Sequence, residues 1–308
     1  MRIVFFGTSN VALPVLEILY QHHDIAAVVT SPDAATGRKQ TLSESPVSVL
    51  AKEMELPLLK PQEVKGNTEF AKQLESYKAD IFVVVSYGKI LPAGVINLPP
   101  HKTLNVHFSL LPKYRGASPI QGALLNGDEQ TGTSIFVLDE KMDTGPIVAQ
   151  KTFPIDPDDN FITLSQKLAN FSAKLLLDVL PKYASGEITP LPQDGSLATY
   201  TKIIGKQDGQ VFWQGSADRV YNQFRAFYPW PGIWTEWNGK KLKILDCEPT
   251  GQALSALEPG TVEKDGSVCC GKSSALRLKI VQLEGKNQVG IKDFLNGYPQ
   301  FAGSRLGK

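Results

Sequence analysis

Apolar positions follow two rhythms along the chain, and the change between them marks a division. In the first half, solid apolar runs alternate with stretches of helical spacing. Residues 3–6, 25–30 and 80–85 read as strands, the last apolar on both faces, as strands buried in a parallel sheet are. Residues 12–20 and 68–77 read as helices. Ser45-Pro46 supplies an N-cap and a first-turn proline for a further helix ending near residue 55. Residues 103–107 extend the sheet, 119–125 predict a helix, and 132–138 and 147–153 predict two more strands. Leu164, Leu168, Phe171, Leu175 and Val179 place a helix over 164–183. This order predicts an α/β domain with a doubly wound, mostly parallel, Rossmann-like sheet.

The rhythm then changes. Residues 185–195 are rich in Pro, Gly and polar side chains, as a linker is. Short strands follow at 234–237, 241–247, 260–263, 267–270 and 276–283, with hairpin signals at Asn238-Gly239 and Asp265-Gly266. Only 216–227 looks helical. The pattern predicts a small antiparallel, OB-like β-barrel of about 100 residues. The expected organisation is a first domain over 1–184, a linker over 185–204 and a barrel over 205–308.

Composition narrows the function classes. The 308 residues are 42% hydrophobic and 20% charged, as in an ordinary globular protein. No apolar run approaches the roughly 18 residues of a membrane span. The start, Met1 to Gly7, is too short for a signal segment and lacks a small-residue cleavage pattern, so a first buried strand in a cytoplasmic protein is expected. Cys247, Cys269 and Cys270 form no zinc spacing and read as small apolar strand residues in a reducing compartment. The net charge of +1 conceals an asymmetry. From Lys206 onward 14 basic residues face 10 acidic ones, and before it 18 face 21. A basic second domain permits contact with a polyanion.

Two nucleotide motifs fail on context. Gly266 to Ser273 fits the phosphate-loop spelling, yet Asp265-Gly266 is a hairpin signal and a strand follows, where a phosphate loop must open a helix. Gly7-Thr8-Ser9-Asn10 lacks the second and third glycines of a dinucleotide fingerprint, which disfavours a nicotinamide or flavin enzyme.

The chemistry concentrates between residues 104 and 146. Asn105 and His107, at i and i+2 on a strand, share one face at the carboxyl end of the sheet, where open α/β sheets bind ligands. The loop after them holds Pro112, Tyr114, Arg115 and Gly116, and Met142-Asp143-Thr144-Gly145 is a turn able to face the same crevice. An amide, an imidazole and a carboxylate together can hold a developing oxyanion and move a proton. Residues 224–232 pack four aromatics and two prolines and read as a rigid plug or a substrate lining, and Arg38-Lys39 lie in a polar loop.

Asn105-Val106-His107, Ser109-Leu110-Leu111-Pro112, Tyr114-Arg115-Gly116-Ala117 and Met142-Asp143-Thr144-Gly145 closely resemble the formyltetrahydrofolate-dependent formyltransferases. The resemblance implies that Asn105, His107 and Asp143 are the catalytic trio, and that Ser109, Leu110, Leu111 and Pro112 contact the folate. It implies 10-formyltetrahydrofolate as co-substrate and no metal. In the second half, Thr199 to Ile203, Arg225 to Gly232, Leu283 to Lys286 and Asp293 to Gly297 resemble the bacterial members that formylate initiator methionyl-tRNA. That likeness implies tRNA as partner, with 205–308 binding it and Arg38 reaching its acceptor stem. The loop at 34–41 is less basic than is usual there, and Tyr228 replaces an Asn. The expected mechanism is direct attack by the methionyl amine, with Asn105 and a protonated His107 holding the oxyanion and Asp143 holding the imidazole. Rival readings are formyl transfer to a nucleotide-linked amino sugar, or a non-catalytic RNA-binding protein. A monomer without membrane attachment is expected.

Overall fold

The run 3–6 is apolar on both faces because β1 (Arg2–Gly7) lies inside a sheet, paired in parallel with β2 (Asp24–Val29) on one side and with β6 (Ile81–Val85) on the other. The structure is a computed structural model that describes residues 1–36, 41–251 and 257–307. Arg38 and Lys39 lie outside the described residues. Around β1 the chain builds α1 (Leu13–His22), the hairpin of β3 (Ala34–Thr36) and β4 (Thr41–Ser43), α2 (Pro46–Glu53), β5 (Leu58–Leu59), α3 (Thr68–Ser76) and α4 (Ala93–Ile96). Ser45 caps α2 by accepting from Ser48 N–H, and Asn67 caps α3 by accepting from Phe70 N–H. These caps satisfy donors that a helix start otherwise leaves unpaired.

Then come β7 (Thr103–His107), β8 (Arg115–Gly116), α5 (Pro119–Asn126), β9 (Gln130–Val137), β10 (Ile147–Pro154) and α6 (Phe161–Ala184). The seven-stranded sheet runs β10-β9-β7-β6-β1-β2-β5, with β9 antiparallel to both its neighbours and the other strands running one way. Strand order reverses at β1, so the carboxyl ends of β1 and β6 form the switch point where such sheets bind ligands. Strand β7 is the next strand outward from β6. The core beneath is apolar and closed, with Phe6, Phe70, Leu74, Phe82, Tyr87 and Ile96 buried together.

Contacts divide the chain into two units. The first comprises Met1–Pro119, Gln130–Pro154 and Ser165–Lys202, and the second Ile120–Glu129, Ile155–Leu164 and Ile203–Lys308. Residues 185–202, expected as linker, thus group with the first unit. There β11 (Tyr200–Thr201) pairs in parallel with β8, and Leu191 pairs with Ile147.

The second unit is an antiparallel sheet in the order β12 (Ile233–Trp237), β13 (Lys240–Pro249), β15 (Ser274–Leu283), β14 (Ser267–Cys270), with β16 (Val289–Gly290) also on β15. The Asn238-Gly239 turn has both residues at positive φ (49° and 70°), as a two-residue type I′ hairpin requires. Between β14 and β15 the phosphate-loop lookalike is a tight turn, with Lys272 and Ser273 at positive φ and no helix after them. All three cysteines are free and buried. The expected strand at 260–263 is instead two isolated bridges, Thr261 to Arg305 and Val262 to Val268. The expectation of a single helix also fails. Besides α7 (Ala217–Phe227) there is α8 (Ile291–Gly297), whose buried face is only Ile291 and Phe294. One i, i+3 apolar pair is too little periodicity to announce a helix.

Candidate active site

Sheet geometry sets Asn105 and His107 on one face at the end of β7. The His107 ring is buried, packed edge-on to Phe136, and its Nε2 donates to the Tyr114 carbonyl at 3.0 Å. A carbonyl can only accept, so this contact fixes the proton on Nε2 and leaves Nδ1 with its lone pair. Nδ1 stands 3.7 Å from Oδ2 of Asp143. The Asn105 side chain is half-buried, and among the described residues its amide has no hydrogen-bond partner, so it is available to a ligand.

Asp143 reaches the imidazole from a turn with its own internal support. Its φ of +53° is left-handed, and Gly145 follows where a Cβ would run into the Val137 carbonyl. Thr144 donates to the Asp139 carboxylate at 2.7 and 2.8 Å, which closes the turn. Oδ2 of Asp143 also accepts from Gly116 N–H at 2.7 Å. Gly116 has a φ of +111°, and a Cβ there would meet the Thr201 carbonyl of β11. The glycine lets the β8–β11 pair close up and turn its amide toward the carboxylate.

Burial pushes the His107 pKa below its ordinary value, while the Asp143 carboxylate and the Tyr114 carbonyl pull it back upward. Burial is the largest cause, so the resting ring is neutral near pH 7.

In the loop after β7, Ser109 and Leu111 are buried while Leu110 and Pro112 are half-exposed. Ser109 Oγ donates to the Lys113 carbonyl at 2.6 Å, and its own carbonyl accepts from Ser134 Oγ at 2.6 Å. Gln150 Nε2 donates to the Leu111 carbonyl and to Ser134 Oγ, both at 2.8 Å. The Ser109 hydroxyl is thus bonded inside the loop, and Leu110 and Pro112 are its half-exposed members. No group of three or more His, Cys, Asp or Glu able to hold a metal occurs among the described residues.

A profile described as formyl transferase matches residues 1–180, and one described as formyl transferase, C-terminal domain, matches 203–299. A methionyl-tRNA formyltransferase of Caldicellulosiruptor saccharolyticus is 41% identical over 304 residues, covering 97% of each chain. That of Koribacter versatilis is 40% identical, covering 100% of this chain and 99% of its own. The chain belongs to the formyltransferase family, in its methionyl-tRNA formyltransferase branch. An N-formyltransferase from Helicobacter canadensis, solved with folinic acid and dTDP-3-aminofucose, shares the fold at a TM-score of 0.67 and 18% identity, covering 90% of this chain and 98% of that one. HypX from Aquifex aeolicus, solved with tetrahydrofolic acid, shares it at 0.60 and 18%, covering 98% of this chain and 48% of that one.

Placed in this formyltransferase, the sequence-picked trio is brought together in part: His107 and Asp143 face each other directly, and Asn105 shares the β7 face with His107. Three supporting residues were missed from sequence: Ser134, Gln150 and Gln193. Their only signal is a polar residue in an apolar strand for the first two, and a glutamine between prolines and an acid for the third.

Proposed function

We propose that the protein moves the formyl group of 10-formyltetrahydrofolate to the free α-amine of methionyl initiator tRNA, with Asn105, His107 and Asp143 as the catalytic residues. The observation that carries this is the buried His107, with Nε2 bonded to the Tyr114 carbonyl and Nδ1 facing the Asp143 carboxylate, beside an uncommitted Asn105 amide. No side chain of the trio is a strong nucleophile, which suits a reaction in which the substrate amine attacks directly. The names of the full-length relatives support the acceptor, and the folate-bound members sharing the fold support the donor.

Asn105 donates to the formyl oxygen as negative charge develops there, an interaction worth about 2.7–4 kcal/mol per donor in comparable sites. His107 takes the proton of the attacking amine at Nδ1, since Nε2 is committed to Tyr114. Asp143 stabilises the imidazolium so formed, and the same proton is then available for departing N10. Leu110 and Pro112, steadied by Ser109 and Leu111 beneath them, hold the folate. Arg38 and the basic residues of 205–308 hold the tRNA, while the chemistry sits on 1–184.

Purified protein is given 10-formyltetrahydrofolate with methionyl initiator tRNA or with an amino-sugar nucleotide. Formyl transfer to the tRNA alone supports the reading. Transfer to the sugar alone moves the activity to the other branch, and transfer to neither favours an RNA-binding protein. Phosphate contacts make tRNA affinity fall with salt, so affinity that is flat in salt, or unaltered by Arg38→Ala, removes the tRNA contacts proposed here.

A further inference from the structure

Gln193 lies in the stretch that reads as linker, yet its side chain is half-buried in the wall of the site. Its Nε2 donates to two carbonyl oxygens of the catalytic turn, that of Asp143 at 3.0 Å and that of Gly145 at 2.8 Å. Its Oε1 accepts from Arg115, at 2.7 Å from Nη2 and 3.2 Å from Nε. Arg115 is itself buried, and Nη1 reaches the Tyr200 hydroxyl at 3.5 Å. One amide therefore couples the backbone of the turn to the strand that offers Gly116 N–H to the Asp143 carboxylate. Both ends of Asp143, its backbone and its carboxylate, are set by residues 115–116 and 193.

We infer that Gln193 is a positioning residue for formyl transfer, holding the Asp143 turn so that the carboxylate stays against His107. The inference rests on the catalytic reading of His107 and Asp143 above. An amide suits this place because it donates and accepts at once. The donor end must face carbonyls and the acceptor end a guanidinium, and no other uncharged side chain of that length does both. Among the described residues, no other side chain from outside this left-handed turn grips the Asp143 and Gly145 carbonyls. Loss of the grip lets the carboxylate drift, and a displacement of about 1 Å in a catalytic group can cost 100-fold in rate.

Two variants separate the halves of this grip. Gln193→Met keeps the length and loses both hydrogen-bonding ends. Gln193→Glu keeps the acceptor for Arg115 but sets an oxygen against the two carbonyls. Both are expected to lower kcat by about 10- to 100-fold, with KM for folate and tRNA within about twofold, because neither substrate is held by Gln193. Wild-type kcat in Gln193→Glu, or a fall that lies wholly in KM, overturns the inference.

A second measurement does not depend on activity. Among the described residues, Asp143 is the charged group that raises the His107 pKa, the other neighbours being the Tyr114 carbonyl and the Phe136 ring. NMR of the His107 ring should show it titrating at lower pH in both variants than in the wild type, with the Gly116 amide resonance displaced. An unchanged titration and an unchanged Gly116 amide overturn the inference, whatever the assay shows. A wild type that transfers no formyl group while the variants still move both signals defeats the catalytic reading and leaves the positioning intact.

Discussion

Nδ1 of His107 and Oδ2 of Asp143 stand 3.7 Å apart, too far for a hydrogen bond and close enough for strong attraction once the ring is charged. In the proposed mechanism the pair takes up a proton that arrives during the reaction. Replacing His107 with Ala removes that acceptor, and kcat should fall by about 10²–10⁴-fold while folate affinity is kept. Single-turnover transfer from 10-formyltetrahydrofolate measures it, and near-wild-type turnover excludes His107 as the base.

The same burial fixes the pH response. Burial pushes the His107 pKa below its ordinary 6.5, so the ring is neutral, and able to accept, at and above neutrality. The acid limb of the kcat profile should therefore fall below 6.5, with no loss between there and mildly alkaline pH. Stability follows the same sign. Above 6.5 the ring is neutral folded or unfolded and its burial costs nothing. Between its lowered value and 6.5 the unfolded chain holds more protons, so stability declines as pH falls through that window. Denaturant melts from pH 7.5 to 5 read this, and a His107→Gln variant should show a shallower decline.

Asp143→Asn separates charge from position. The amide oxygen can still accept from Gly116 N–H, so the turn is kept, but the attraction on the ring is gone. The His107 pKa should fall further, because the carboxylate is what draws it upward against burial. We expect kcat to drop by at least about tenfold and the acid limb to move to lower pH. An acid limb left where it was would show that the two groups are not coupled.

Gly116 is held at a φ of +111°, where an added Cβ would run into the Thr201 carbonyl. A methyl there is strained in backbone and in space, so Gly116→Ala should cost about 1–3 kcal/mol. It should also push β11 off β8 and carry the Asp143 donor with it. Denaturation midpoint and kcat should fall together, and a variant that loses neither would show that the strand pair adjusts freely.

What was legible from sequence was whatever obeys a short period. Runs such as 103–107 and 267–270 are recovered residue for residue because apolar runs in strands need only near neighbours. Asn105 and His107 could be paired for the same reason, being two apart on one strand. Asp143, Gly116 and Gln193 come from three separate segments, and their meeting depends on left-handed turns and on closure over tens of residues. Nothing local encodes that Gln193 finds Arg115 78 residues away. Burial of the His107 ring was not legible for a related reason: it is a property of its neighbours, Phe136 and Tyr114, and not of its own segment.

Arg225 belongs to the same class of long-range devices, and it carries the last expectation. It sits in the last turn of α7, buried, with Nη1 donating to the carbonyls of Pro157 and Asp159 at 3.2 Å and of Asp156 at 3.5 Å, and with Nη2 on Asn222 Oδ1 at 2.7 Å. Its guanidinium lies over the Tyr221 ring at 5.6 Å. Burial pushes its pKa down, yet the group stays charged. A planar fork can meet several carbonyls at once, whereas a lysine offers one point. The Arg in Arg225-Ala226-Phe227 thus fastens residues 156–159 to α7 within the second unit, a role that the aromatic-rich reading of 224–232 did not suggest. In Arg225→Ala three backbone acceptors lose this donor, which should cost about 3 kcal/mol. Arg225→Lys should recover only part of it. Urea unfolding followed by tryptophan fluorescence measures the loss, and full recovery by lysine would mean that charge, not the fork, holds the segment.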